Sequence, residues 1–204
     1  MRIGYGWDSH AFKSGVPLKI GGLTLDHPEG LAGHSDGDVL LHAITDALLG
    51  AVAAGDIGSF FPPGDARWKN ANSAIFLETA LEEVFHAGYT LSNVDTTLVL
   101  AAPKIGPIAE RLRENVAMLL HLEPNCVGIK AKTPEGLDQD HVAIAHAVVL
   151  LEKLDSSRPA LEMAAAVDSP NSVDSVVRKL LDEPIIAPKP VPARKATFNT
   201  EDIS

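Results

Sequence analysis

The chain has 204 residues, of which 46% are hydrophobic and 22% charged, a composition typical of a globular domain. Its formal net charge of −10 disfavours binding to a nucleic-acid backbone. No apolar run approaches the ~20 residues that cross a bilayer, and no secretory or transit segment is visible, so we expect a cytoplasmic protein without a membrane partner. The single cysteine, Cys126, excludes an internal disulfide framework.

The first half of the chain is predicted to contain one strand, one hairpin and two helices. In chain order we expect a strand over 2–5, a hairpin over 18–25, a loop over 27–37, a helix over 39–54, an irregular segment over 56–72 and a helix over 73–86. The hairpin prediction depends on the Gly21-Gly22 pair between two apolar segments. Ser35 or Asp36 can cap the first helix, and Ser73 the second.

The second half of the sequence predicts three strands and one more helix, followed by a proline-rich tail. The elements expected are strands over 96–102, 127–131 and 141–150 and a helix over 107–120. With the first half they predict an α/β fold, an α+β sandwich whose mixed four-stranded sheet carries helices on one face, plus a small β-hairpin. Six of the 14 prolines fall beyond the predicted domain, 1–153, so 154–204 is predicted to be a mostly disordered tail with one short helix over 173–183.

Asp8-Ser9-His10 is the first segment that indicates chemistry. Alternate residues of an extended segment point to the same side, so Asp8 and His10 share a face. With His42 on the first helix they form one carboxylate and two imidazoles, which can hold a tetrahedral zinc with one position open for a phosphoryl oxygen. The spacing also fits two polar loop residues and an unrelated helix histidine, so both interpretations stay open at this point.

The segment before the first helix is rich in polar side chains. Free backbone N–H groups at a helix start favour anions, and His34 and Ser35 can add donors to a phosphate. Asp38, His42 and Asp46 recur at intervals of four, so both carboxylates can flank the histidine and fix its tautomer. A capped helix start with a solvated acidic face explains the same residues.

A loop rich in Gly and Pro follows the first helix. Asp56-Ile57-Gly58 and then Phe60-Phe61-Pro62 suit ribose hydroxyls and an apolar substrate body. A plain surface loop has the same composition, so the residues leave both interpretations open.

Two further polar segments are predicted to lie at strand ends. Ala102-Pro103-Lys104 ends one strand, and Lys132-Thr133-Pro134-Glu135 ends the next, where open α/β sheets often bind ligands. Thr133 can donate to a phosphate, and Glu135 can hold Mg²⁺.

Together these segments resemble the 2-C-methyl-D-erythritol 2,4-cyclodiphosphate synthase family. The resemblance covers residues 1 to about 153 and is carried by the stretches RIGYGWDSHAF, LAGHSDGDVLLHAITDALLGAVAAGDIGSFFPPGD, VDTTLVLAAPKIGP and KAKTPEG. The block H-S-D-G-D-x-x-x-H-A-x-x-D-A-L-L-G is highly specific, whereas the tail has no counterpart.

The resemblance implies a metal-dependent enzyme in the non-mevalonate pathway of isoprenoid precursors. A cytidine diphosphate substrate, 4-diphosphocytidyl-2-C-methyl-D-erythritol 2-phosphate, would cyclise with release of CMP. Asp8, His10 and His42 would bind Zn²⁺, and Glu135 would bind Mg²⁺ or Mn²⁺. The implied assembly is a homotrimer with active sites between subunits.

The same resemblance implies roles for the remaining polar residues. His34 and Thr133 would stabilise charge in the transition state. The implied substrate contacts are Asp8, His10, His34, Ser35, Asp56, Ile57, Gly58, Phe61, Asp65, Ala101, Ala102, Pro103, Lys104, Lys132, Thr133 and Glu135. A non-catalytic trimer that kept metal or nucleotide binding, and a zinc phosphoesterase, are the rival hypotheses.

One segment departs from the pattern of the resemblance. Many members continue T-T-T-E with K-L-G-F-x-G-R-x-E-G, whereas Glu135 is followed here by Gly136-Leu137-Asp138-Gln139-Asp140-His141. The arginine and the phenylalanine are missing, so the resemblance leaves open whether this chain forms the central anion or isoprenoid site that they make in such members.

Overall fold

The computed structural model describes residues 1–137 and 139–154, so the predicted tail and its helix over 173–183 lie outside the described residues. The division into a domain of 1–153 and a tail stays a prediction. The strands and helices are β1 (Arg2–Ser14), β2 (Leu18–Ile20), β3 (Leu23–Leu25), β4 (Glu29–Leu31), α1 (Val39–Ala51), α2 (Ile57–Phe60), α3 (Ser73–His86), β5 (Tyr89–Val99), α4 (Ala109–Leu119), β6 (Val127–Lys132) and β7 (Val142–Lys153).

A mixed sheet forms the centre of the fold, with strand order β4-β1-β7-β5-β6. The pair β5–β6 is parallel and the other pairs are antiparallel, while β2 and β3 form the separate hairpin that was predicted. The prediction of four strands is wrong, because β1 runs on to Ser14 and its end pairs with β4. The sequence predicted a loop over 27–37, but β4 lies within it. Its three residues around Gly30 are too few to show the alternation that would reveal a strand.

Two glycines let α1 lie directly on β1. A Cβ atom added to Gly4 would be 1.8 Å from the carbonyl oxygen of Ala47, and one added to Gly6 would be 1.9 Å from that of Ala43. No side chain fits in that space, so the helix backbone and the strand backbone are in contact. Continuing along β1 at intervals of two, the same face next presents Asp8 and His10 to α1.

The other face of β1 and β7 exposes large apolar side chains. Ile3 is 71% exposed, Tyr5 60%, Trp7 48% and Val148 44%. These residues alternate with the glycines and alanines that face the helices, so the period of two along each strand gives the sheet one buried and one open apolar face.

Both long helices of the first half are capped by residues other than those predicted. Asp38 caps α1 and accepts from Leu41 N–H at 3.1 Å, and Asn72 caps α3 and accepts from Ala74 N–H at 3.0 Å. The expected caps were Ser35 or Asp36 and then Ser73, which instead turn towards His42 or towards each other. In the part of the chain that the structure describes, no helix combines the length and apolarity needed to cross a membrane.

Candidate active site

The structure brings together Asp8 and His10 of β1 and His42 of α1. Asp8 Oδ2 lies 2.8 Å from His10 Nε2 and 3.0 Å from His42 Nδ1, and the two ring nitrogens are 3.1 Å apart. Ligand atoms about 2.0–2.1 Å from a tetrahedral zinc are separated by about 3.3 Å, so small outward shifts would fit these atoms around such an ion. The donor set and its spacing therefore fit a metal centre.

Electrostatics in this cluster favours a cation. Burial alone would raise the pKa of the Asp8 carboxyl, but hydrogen bonds and charge from His10 and His42 outweigh it and hold that pKa well below its usual range. Burial alone would lower the pKa of His10, but the hydrogen bond and the charge of Asp8 outweigh it and raise that pKa. An ionised carboxylate thus lies between two imidazoles, and its negative charge attracts a proton or a metal ion to the cluster.

The carboxylates expected to flank His42 bind elsewhere. Asp38 accepts from Gly21 N–H at 2.9 Å and Gly22 N–H at 2.6 Å, so it joins α1 to the hairpin. Asp46 accepts from Ile57 N–H at 2.8 Å and holds the start of α2. The interval of four places these residues along one side of α1, but each side chain reaches a backbone donor that the sequence does not reveal.

Two serine hydroxyls lie within hydrogen-bond distance of His42 Nε2, the ring nitrogen that faces away from Asp8. Ser35 Oγ lies 3.0 Å and Ser73 Oγ 2.9 Å from His42 Nε2. Ser35 was predicted as a phosphate donor, whereas Ser73 was considered only as a helix cap. No spacing rule connects Ser73 with a histidine 31 residues earlier, so only the packing of α3 against α1 reveals this contact.

The loop after α1 combines a helix cap with an aromatic cluster. Asp56 caps α2 and accepts from Ser59 N–H at 2.8 Å and Ser59 Oγ at 2.6 Å, and the hydroxyl lowers the pKa of that exposed carboxyl. Ile57 and Gly58 form the first turn of α2. The Phe61 ring lies 4.3 Å from that of Phe76, which lies 6.0 Å from the His42 ring.

His34 anchors the following segment. Its Nε2 lies 3.1 Å from the carbonyl oxygen of Asp65, and its own carbonyl accepts from Asn70 N–H at 2.9 Å. The Asp65 side chain pairs with Arg67, and hydrogen bonds from Arg67 lower the pKa of that exposed carboxyl. His34, Ser35 and Asp65 are therefore on the same side of the molecule as the cluster, next to α3 and α1.

A separate cavity of about 300 Å³ lies at the carboxyl ends of the parallel strands β5 and β6. Its walls are formed by Leu100, Pro103, Lys104, Ile105, Gly106, Ala131, Lys132, Thr133 and Glu135. Within it the Thr133 hydroxyl donates to the Glu135 carboxylate. Ala101 and Ala102 lead from β5 into this wall. The cavity occupies the edge of the sheet where the sequence predicted a ligand site.

Two strands separate the cluster from the cavity. Asp8 pairs with Ala145, Ala145 with Leu98, and Leu98 with Ala131, so one row crosses the sheet from β1 to β6. Three steps of about 4.8 Å between neighbouring strands make this distance about 14 Å. Within one chain, the candidate metal ligands and the cavity are thus distinct sites.

The fold and the site together define an α/β protein with a candidate metal centre and a ligand cavity at a sheet edge. Residues 1–152 match the YgbB family model, and the chain belongs to the YgbB family. The 2-C-methyl-D-erythritol 2,4-cyclodiphosphate synthase of Koribacter versatilis is 66% identical over 153 residues, which are 75% of this chain and 99% of that protein. The resemblance stated from the sequence is confirmed.

Two further relatives extend the comparison. The chloroplastic synthase of the same name from Oryza sativa subsp. japonica is 47% identical over 153 residues, which are 74% of this chain and 69% of that protein. A solved structure of a 2C-methyl-D-erythritol-2,4-cyclodiphosphate synthase in a CDP-bound form has a TM-score of 0.70 and 43% identity. The match covers 74% of this chain and all of that structure.

Proposed function

We propose that the chain converts 4-diphosphocytidyl-2-C-methyl-D-erythritol 2-phosphate into 2-C-methyl-D-erythritol 2,4-cyclodiphosphate and CMP. An oxygen of the 2-phosphate attacks the β-phosphorus of the diphosphate, the bond from that phosphorus to the bridging oxygen breaks, and CMP leaves. Asp8, His10 and His42 carry this proposal, because their ligand atoms converge within 3.1 Å in a member of this family. The nucleophile belongs to the substrate, so positioning and charge neutralisation are the tasks of the protein.

The metal of this cluster is proposed to be zinc. One carboxylate and two imidazoles leave a fourth tetrahedral position open, which is typical of catalytic rather than structural zinc. A bound zinc ion supplies Lewis-acid polarisation of a phosphoryl oxygen. Ser35 was predicted to donate to the same phosphate, but its hydroxyl lies 3.0 Å from His42 Nε2, on the side of the ring away from Asp8.

The cavity at the sheet edge is proposed to hold the cytidine diphosphate part of the substrate. Backbone groups from Ala101 to Gly106 would frame the base, and Lys104 and Lys132 would lie near the phosphates. Glu135 would hold Mg²⁺ or Mn²⁺ bridging those phosphates, since a carboxylate oxygen is the ligand that such hard cations prefer.

The remaining predicted residues are assigned to charge stabilisation and to the sugar. His34 would donate to oxygens that gain charge as the new bond forms, and Thr133 would do so once Glu135 binds the second metal and no longer accepts the Thr133 proton. Asp56 with Ile57 and Gly58 would bind hydroxyl groups of the ribose or of the methylerythritol unit. Phe61 and Asp65 would border this unit.

A homotrimer with shared active sites is part of the proposal. The open apolar face around Ile3, Tyr5, Trp7 and Val148 supports it, because apolar patches of this kind typically pack against a second copy or a partner. The separation of about 14 Å across the sheet also supports it, since a neighbouring chain can bring its cavity to this chain's cluster. A cytoplasmic location stays a prediction.

Phosphorus NMR of the purified full chain with the proposed substrate tests the reaction. We expect the diphosphate resonances to disappear as cyclodiphosphate and CMP resonances grow in equal amounts, with no inorganic phosphate. The variant His42→Ala should give neither product, whereas His86→Ala, which changes an exposed histidine at the end of α3, should behave as wild type. Inorganic phosphate would indicate a zinc phosphoesterase, and binding of CDP without turnover would indicate a non-catalytic trimer.

The same assay tests the second metal. Removal of free Mg²⁺ and Mn²⁺ with zinc kept in place should stop CMP release, because a single zinc does not neutralise both the diphosphate of the substrate and the charge that develops on the departing CMP. Undiminished release would contradict the role proposed for Glu135.

A further inference from the structure

The His42 nitrogen that points away from Asp8 lies in a buried polar environment. Nε2 is 2.9 Å from Ser73 Oγ and 3.0 Å from Ser35 Oγ. His42 is 8% exposed, and Ser73 is 0% exposed. Bulk water therefore does not compete for this nitrogen, and the protonation of Nε2 is decided by what the serines offer.

The direction of the bond at Ser73 follows from Asp36. The Ser73 hydroxyl donates to Asp36 Oδ1, and the other carboxylate oxygen lies 3.3 Å from Ser73 N–H and 3.3 Å from Lys19 Nζ. A hydroxyl has one proton, so once it is donated to Asp36 the Ser73 oxygen can only accept from His42. Nε2 of a neutral His42 must then carry the ring proton. The Ser35 hydroxyl has no carboxylate partner among the described hydrogen bonds and does not fix this direction.

The tautomer that results is the one a metal ligand needs. With the proton on Nε2, His42 Nδ1 presents a lone pair towards Asp8 Oδ2 at 3.0 Å and His10 Nε2 at 3.1 Å. A lone pair and a carboxylate oxygen at that distance repel each other unless a cation lies between them. The opposite tautomer would place a proton where the cation binds.

We propose that Asp36 and Ser73 are positioning residues that hold His42 in the Nε2–H tautomer and so prepare Nδ1 for the metal. The direction of donation runs from His42 to Ser73 and from Ser73 to Asp36, while Lys19 holds the carboxylate. The inference rests on the metal centre of the proposed function and deepens it. It replaces Asp38 and Asp46, which had been predicted for this task from their spacing.

Two substitutions and a matched control distinguish the chain of hydrogen bonds from His42 through Ser73 to Asp36, here called the relay, from simple packing. Ser73→Ala removes the acceptor. Asp36→Asn keeps Ser73 but offers an amide N–H to its oxygen, which turns the serine proton towards Nε2 and favours the wrong tautomer. Thr79→Val is the control, because it also removes a hydroxyl from α3, one that donates to the carbonyl oxygen of Ile75 at 3.1 Å.

The first measurement is zinc affinity, by competition between the full chain and a chromophoric chelator. We expect Ser73→Ala and Asp36→Asn each to weaken zinc binding about 10–100-fold and Thr79→Val to leave it unchanged. The double variant should bind no more weakly than Ser73→Ala alone, because the two residues act in one chain of bonds. Wild-type affinity in both single variants, or fully additive losses in the double variant, would overturn the relay.

The second measurement is the His42 tautomer in the metal-free chain, from the ¹⁵N chemical shifts of its ring. Asp8 competes for a proton at Nδ1 in the metal-free chain, so we expect a larger fraction of Nε2–H in the wild type than in Asp36→Asn, and equal fractions in the two chains overturn the proposal. If Ser73→Ala does not fold, Asp36→Asn decides alone. A wild-type chain that binds no zinc, or His42→Ala that binds it fully, contradicts the metal centre itself rather than the relay.

Discussion

Asp8 should make the proposed metal site sensitive to pH through its effect on His10. Its charge and hydrogen bond raise the pKa of His10 above the ordinary value despite burial, so in the metal-free chain this imidazole takes up a proton at a higher pH than a free histidine. A metal ion must displace that proton, because only the neutral ring is a ligand. Below the raised pKa, zinc affinity should therefore fall about tenfold for each pH unit.

Competition titrations of zinc between about pH 8 and pH 5 measure this dependence. The affinity should be level at the upper end and begin to fall while the pH is still above the ordinary histidine range. An affinity that stays constant down to pH 5 would show that Asp8 does not raise the pKa of His10.

At the residue scale, the sequence predicted the cluster but not its surroundings. Asp8 and His10 are two positions apart on a strand, and this local geometry is enough to place both on one face. His42 joins them because α1 lies on β1. The family resemblance implied that His42 belongs with Asp8 and His10, whereas spacing alone left this open. Ser73 could not be predicted, since its contact with His42 depends on how α3 packs against α1.

At the scale of elements, contact between α1 and β1 sets the distance from His42 to the strand ligands. A Cβ atom at position 6 would lie 1.9 Å from Ala43 O and 2.6 Å from Ala47 N, both of which are helix backbone atoms that cannot rotate away. Gly6→Ala should therefore push α1 outward, destabilise the fold by about 1–3 kcal/mol and weaken zinc binding.

Gly64→Ala is the matched control for this substitution, because nothing lies within 4 Å of a Cβ atom at that position. Chemical denaturation gives the change in stability, and the chelator competition gives the change in zinc affinity. If Gly6→Ala unfolds and binds zinc as Gly64→Ala does, the close contact does not control the geometry of the site.

The strands were predicted less accurately than the helices for a physical reason. Helix periodicity located α1 and α3 to within a few residues, because their apolar stripes face a single core. β1 was expected to end at Tyr5, since Asp8 and His10 interrupt its apolar alternation, yet it continues to Ser14. The polar residues of the candidate metal centre, on the buried face of β1, thus concealed the strand that carries them.

At the scale of the whole molecule, the proposed domain should function without its tail. Residues 154–204 carry six of the 14 prolines, and ordering such a segment costs about 1–2 kcal/mol per residue in backbone entropy. A chain ending at Lys153 should form the same trimer that is proposed for the full chain and keep near-wild-type turnover. Sedimentation and CMP release measure both properties, and a monomeric or inactive product would show that the tail belongs to the fold.

The proposed location of catalysis between subunits leads to a final prediction about mixtures of inactive chains. His42→Ala damages the metal cluster on β1 and α1, whereas Glu135→Ala damages the cavity beside β6, about 14 Å away across the sheet. If each active site takes its cluster from one chain and its cavity from a neighbour, a mixed trimer contains some sites with both halves intact. Random exchange of equal amounts should restore about a quarter of the wild-type sites.

CMP release is measured for each variant alone and after mixing under conditions that allow subunits to exchange. Native mass spectrometry verifies that mixed trimers have formed. A chain carrying both substitutions serves as the control, since mixing it with either single variant leaves every site without an intact cluster or without an intact cavity. Mixed trimers of the two single variants that release no CMP would place each complete site within one chain, and the shared-site proposal would then be wrong.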